Sequence, residues 1–171
     1  MKIDIKWILE ITLLTFFITI FFSFGSQVIL NDINIIVGII IILIFIFIGV
    51  ITDIIGVAVQ SSDAVPFHAM ASKKIKHATH AKKMLNNAAK VSSFFCDVIG
   101  DICNIISGSA GLIVATSISL KFNYNLSLTT LIVTSIIASI TIGGKAIGKT
   151  IAIKNNRKIV NIVSKIIPLK N

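Results

Sequence analysis

The run IIVGIIIILIFIFIGVI, residues 35–51, decides the fold. An α-helix rises about 1.5 Å per residue, so about 20 apolar residues cross a hydrocarbon core about 30 Å thick. With its flanks the run covers residues 34–60, in which Asp53 is the single ionisable side chain. That is far too long for a soluble strand, so the β-branched residues reflect composition and the segment predicts a membrane-crossing helix.

Three more segments reach a similar length: 8–30, 91–120 and 128–147. The first follows Lys2 and Lys6 and imitates a signal peptide, but its apolar body is too long and no small-residue cleavage motif closes it. It is expected to stay as a span. Composition agrees: 171 residues, 55% hydrophobic and 13% charged, with mean hydropathy +0.96, where a soluble domain carries about a quarter charged residues. With 2 Pro and 10 Gly, collagen-like and disordered classes are excluded. The expected fold is all-α, a polytopic integral membrane protein with four transmembrane helices and cytoplasmic amphipathic juxtamembrane helices. No soluble catalytic domain fits, and no nucleophile and base pair is visible, so an enzyme is not expected.

Basic residues set the orientation. Lys73, Lys74, Lys76, Lys82, Lys83 and Lys90 lie between the second and third spans, and Lys149, Lys154, Arg157, Lys158, Lys165 and Lys170 follow the fourth. The positive-inside rule places both clusters and both termini in the cytoplasm, with the turns 31–33 and 121–127 outside. The plasma membrane of a bacterium is the expected location. The net charge of +9 then reflects orientation and anionic lipid rather than nucleic acid.

The basic stretches carry helical patterns. In 63–90, Pro66 suits a first turn after Ser62 or Asp63 as N-cap, and Phe67, Ala71, Ile75, Ala78 and Leu85 recur at three-to-four spacing between lysines. This predicts an interfacial amphipathic helix, or two. In 151–168, Ile159, Ile162, Val163, Ile166 and Ile167 form a second stripe that ends at Pro168.

Ionisable groups at bilayer depth cost about 2.5 to 3.5 kcal/mol each on insertion scales, so each needs a reason. Glu10 lies near a span end and can pair with Lys6 at i, i+4. Asp53 is deeper, with the Thr52 hydroxyl beside it. Asp97, Asp101 and Asn104 stand at i, i+4 and i+7, which on an α-helix stacks three oxygen-bearing side chains along one face. Ser92, Ser93, Gly100, Ser107, Gly108, Ser109 and Gly111 surround them, and such small residues allow close helix approach and expose oxygens. Oxygens alone suit Mg²⁺, Ca²⁺ or Na⁺ rather than zinc or copper. The alternative is a buried polar network that pins the bundle. His68, His77 and His80 read as surface residues, and Cys96 and Cys103 as small packing residues unable to bridge each other.

GGKAIGKT, residues 143–150, fits the Walker A expression, but it caps an apolar helix in a chain with no βαβ pattern, so nucleotide binding is not expected. Its glycines are expected to break the fourth span near the cytoplasmic face.

With these residues in view, the chain from 34 to 169 resembles the transmembrane domain of the CNNM and CorB/CorC magnesium-transport proteins, known as domain of unknown function twenty-one. The resemblance rests on DIIGVAV, PFHAMASKK, CDVIGDICNIISGSAG and GGKAIGKTIAIKN, with Thr52 and Asp53, Ala81 and Lys82, residues 100–104 and residues 144–150 at the places of the family motifs. It implies a homodimer of three-helix domains with a cytoplasmic belt, in which a dehydrated Mg²⁺ is held by hydroxyl, Asn and Glu oxygens. Residues 1–33 would then be an additional N-terminal helix and outer turn, and 34–171 a CNNM/CorC-like domain of the short stand-alone type without CBS domains. The chain departs from the family pattern at Lys145, where the third motif has Glu, and at Gly148, where it has Pro.

The leading expectation is divalent-cation transport or binding, Mg²⁺ foremost, through Thr52, Asp53, Asp97, Asp101 and Asn104, with Ser107 and Lys145 nearby. The rival is a non-transporting membrane scaffold or partner protein in which Lys145 pairs with Asp97 or Asp101. A third is a secondary transporter for protons or an organic ion.

Overall fold

The computed structural model describes residues 5–30, 34–72 and 76–166, the side chains of 26–30 and of Lys76 excepted. Expectations resting on Lys2, the turn 31–33, Lys73, Lys74, Ile75, Ile167, Pro168 and Lys170 lie outside the described residues. Every regular element among the described residues is a helix: α1 Ile5–Leu30, α2 Ile35–Ser61, α3 Val65–Ser72, α4 Lys76–Asn86, α5 Ala88–Ser93, a π-helical turn Phe94–Ile99, α6 Gly100–Phe122, α7 Leu126–Lys154 and α8 Asn156–Ile166. Four stretches are long and apolar enough to cross a membrane: Ile5–Gly25, Ile35–Ser61, Ala88–Phe122 and Leu126–Lys154.

Short polar side chains set the helix ends. Asn34 Oδ1 accepts the Ile36 N–H at 3.2 Å, Asp63 Oδ1 the Val65 N–H at 3.1 Å, and Asn125 Oδ1 the Leu128 N–H at 3.3 Å, each satisfying a donor that the first helical turn leaves open. Asn123 ends α6 in the left-handed region at φ 55°, and the Tyr124 N–H returns to the Ser119 carbonyl at 3.1 Å, the pattern of a Schellman motif. At the other end of the chain, Lys6 and Glu10 pair as their spacing predicts, at 4.0 Å.

The fourth span does not break. Helix α7 continues through Gly143, Gly144 and Gly148 to Lys154, correcting the expected interruption. A helical glycine costs only about 1 kcal/mol relative to alanine, and apolar neighbours outweigh that. Gly148 serves close packing, because a Cβ there would stand 2.9 Å from Ile54 Cγ1.

The chain forms two compact units, one from the described residues of 1–49 and 100–143, the other from those of 50–99 and 144–171. In the first, the N-terminal part of α2 packs Ile42 and Ile46, and α6 buries Ile106, Ala110, Val114 and Ala115 at three-to-four spacing. Helix α1 lies on α6, yet none of its described side chains is buried. An open groove of about 200 Å³ is lined by residues such as Ile39, Ile46, Val114, Ile118 and Ile140 and has no polar wall, so it offers a cation no ligand.

In the second unit Val59 of α2, Phe67 of α3, Ala81, Met84 and Leu85 of α4, and Val160 and Val163 of α8 share one core. The Asn156 amide adds a hydrogen bond to the Ser61 carbonyl at 2.9 Å. The amphipathic segments are therefore two short helices and a third, each of which buries part of its apolar face on protein. The stripe of α8 is also rotated. Val160, Val163 and Ser164 are buried, whereas Ile162 and Ile166 are exposed, because α8 meets α4 rather than a planar interface.

Candidate functional site

Helix α2 places Asp53, Gly56 and Gln60 at i, i+3 and i+7, one face of an α-helix. Opposite them in the same unit stand Ser92, at the end of α5, and Cys96, in the π-helical turn. Gly56 makes their approach possible: a Cβ at that position would fall onto Cys96 Sγ and 3.0 Å from the Ser92 carbonyl oxygen. Across this notch Ser92 Oγ donates to Gln60 Oε1 at 3.0 Å, and the Cys96 thiol donates to the Asp53 main-chain carbonyl at 3.6 Å.

Asp53 is 4% exposed, and its Oδ2 has no hydrogen-bond partner among the described residues. An isolated buried carboxylate is costly unless paired. Thr52 beside it is also buried. Asp97 is exposed and accepts a short bond, 2.6 Å, from Ser93 Oγ. Lys145 belongs to the same unit and is half-buried on α7.

The remaining expected residues belong to the first unit. Asn104 Nδ2 donates to Asp101 Oδ1 at 3.3 Å, and Asn104 Oδ1 is buried without a partner among the described residues. Ser107 is buried and its hydroxyl returns to the Cys103 carbonyl at 2.8 Å, four residues back. The single stack expected of Asp97, Asp101 and Asn104 rests on 3.6 residues per turn, and the wider π-helical turn at Phe94–Ile99 departs from that spacing. Ser93 pairs with Asp97 in the second unit, and Asp101 with Asn104 in the first.

Cys103 is buried against Gly49, as a packing residue should be. Cys96, read from the sequence as a packing residue, is half-buried beside Asp53, which makes it a candidate for the same site. Ser92 and Cys96 at i, i+4, facing the Asp53, Gly56 and Gln60 stripe, were the available signal.

His68 is exposed, and His77 and His80 are half-buried on α4, with His80 Nδ1 unpartnered among the described residues. No three His, Cys, Asp or Glu side chains among the described residues converge as a ready-made metal centre. Residues 143–150 are α-helical, so their N–H groups serve the helix rather than a phosphate-cradling loop. No protein-family model, curated protein or solved structure matches the chain.

Proposed function

We propose that the protein binds and moves a divalent cation, Mg²⁺ in the first instance, across a membrane, as its resemblance to the CNNM and CorB/CorC transmembrane domain implies. The observation that carries this reading is Asp53, a carboxylate inside a 27-residue apolar helix, with a buried oxygen that lacks a partner among the described residues. An ionisable side chain at such depth marks a functional site by default, and the unpaired lone pairs of Oδ2 are where a cation would be held. Eight residues separate Asp53 from Ser61, so the carboxylate sits about 12 Å along the helix from its end, with Thr52, Ser92 and Gln60 supplying neutral oxygens. Asp97, in the same unit as Asp53, adds a carboxylate that would attract the ion, and Asp101 and Asn104 stay as ligands that the resemblance implies. Both termini, α3 and the basic α4 and α8 helices lie on the cytoplasmic side in this reading, and two copies associate.

The test is flux in proteoliposomes holding a Mg²⁺-sensitive dye. The purified chain should give Mg²⁺ entry down its gradient, and Asp53→Asn should abolish it. Wild-type entry no faster than in protein-free liposomes, with the protein folded and inserted, would count against transport.

A further inference from the structure

We infer that the Asp53 and Cys96 notch of the second unit takes a borderline or soft divalent cation, of the zinc or cadmium type, in preference to Mg²⁺. This rests on the divalent-cation part of the proposed function and replaces Mg²⁺ as the ion held at Asp53. Oxygen donors alone would select a hard cation, but the fold brings the Cys96 sulfur, from 43 residues away in sequence, to the main-chain carbonyl of Asp53, the residue that carries the buried carboxylate.

Three independent features converge on that point. Asp53 presents an unpartnered, deeply buried oxygen. Gly56 removes the one Cβ that would hold the two helices apart. The π-helical turn, a device common at functional sites, carries Cys96 to the notch. Around the pair, Ser92 Oγ lies 3.9 Å from the sulfur, and Gln60 Oε1 accepts its hydrogen bond.

The chemistry follows from hardness. Mg²⁺ holds its waters tightly and demands oxygen, whereas thiolate ligands select softer ions. On binding, the Cys96 S–H bond breaks, sulfur bonds the metal, and the proton leaves to solvent, so affinity rises with pH. One thiolate and one carboxylate balance the two charges of the cation, which suits a low-dielectric surrounding. Two charged ligands with neutral oxygens also bind loosely enough for release, as a transported ion requires.

The test uses the full chain in detergent with Cys103→Ala, which leaves Cys96 as the single thiol. Alkylation of Cys96 by N-ethylmaleimide is timed with Cd²⁺, Zn²⁺ or Mg²⁺, alongside the cadmium-thiolate ultraviolet band. Cd²⁺ and Zn²⁺ should slow alkylation at least about tenfold, at concentrations about a hundredfold below any Mg²⁺ effect. Asp53→Asn should remove that protection. Protection that survives Asp53→Asn unchanged would assign the metal to the thiol alone and overturn the inference. Equal protection by Mg²⁺ and Cd²⁺ would overturn the preference and leave the proposed function standing. Protection by Cd²⁺ with no Mg²⁺ effect on labelling, stability or flux would support the inference and remove Mg²⁺ as the ion. If Asp53→Asn does not fold, wild type decides: a cadmium-thiolate band at stoichiometric metal, lost in Cys96→Ser, supports the notch, and its absence overturns it.

Discussion

The thiol of Cys96 sits 3.6 Å from the main-chain carbonyl of Asp53, over a glycine whose missing Cβ is the space the sulfur occupies. That contact makes Gly56 a structural requirement of the site. Gly56→Ala should destabilise the protein by about 1 to 3 kcal/mol through overpacking, and Cys96→Ala in the same chain should recover part of the loss. Thermal unfolding of the two single variants and the double variant measures the coupling. Strict additivity would mean that the two residues do not share one space.

The core of the second unit predicts an ordinary cavity effect. Met84 is 1% exposed between α3, α4 and α8, so Met84→Ala should cost about 2 to 5 kcal/mol. Ile162→Ala, at an exposed position, should change stability by no more than about 0.5 kcal/mol. Unfolding in detergent separates the two, and the reverse order would place the apolar face of α8 on lipid instead.

Orientation is open to labelling. In a cysteine-free chain, a cysteine at Asn123 should react with an impermeant maleimide from outside, and one at Thr79 only after permeabilisation. Both positions are exposed. Labelling of Thr79 in intact cells would invert the proposed topology.

Much of the fold was legible because its causes are local. Apolar runs, the Asp63 cap, the Lys6 to Glu10 spacing and the stripe of Phe67, Ala78 and Leu85 all act within a few residues. What escaped has distant causes. The buried face of α8 is chosen by α4, and the meeting of Cys96 with Asp53 depends on how α2 packs against the segment around the π-helical turn. The glycines of α7 read as a break because composition does not reveal the side chains, such as Ile54, that pack against Gly148.

Lys145 separates the transport reading from the scaffold reading. If the path carries a cation, its ammonium opposes the ion, and Lys145→Glu should tighten divalent binding while the fold is kept. If the lysine neutralises an intramembrane carboxylate, the same change should cost about 3 to 5 kcal/mol and the variant should fail to accumulate. Expression level and divalent titration of this one variant separate the two, a cation path giving tighter binding in a folded protein.

The most direct test of the central claim is the divalent-dependent stability of wild type and Asp53→Asn, followed by thermal unfolding in detergent with Mg²⁺ or Zn²⁺ against a metal-free control. A ligand at about a hundredfold excess over its Kd adds about 2.7 kcal/mol to the folded state. Wild type should therefore unfold several degrees higher with the bound ion, and Asp53→Asn, lacking the charged ligand, should show little or no shift. A folded wild type that neither ion stabilises, or an equal shift in both proteins, would contradict a cation held by Asp53.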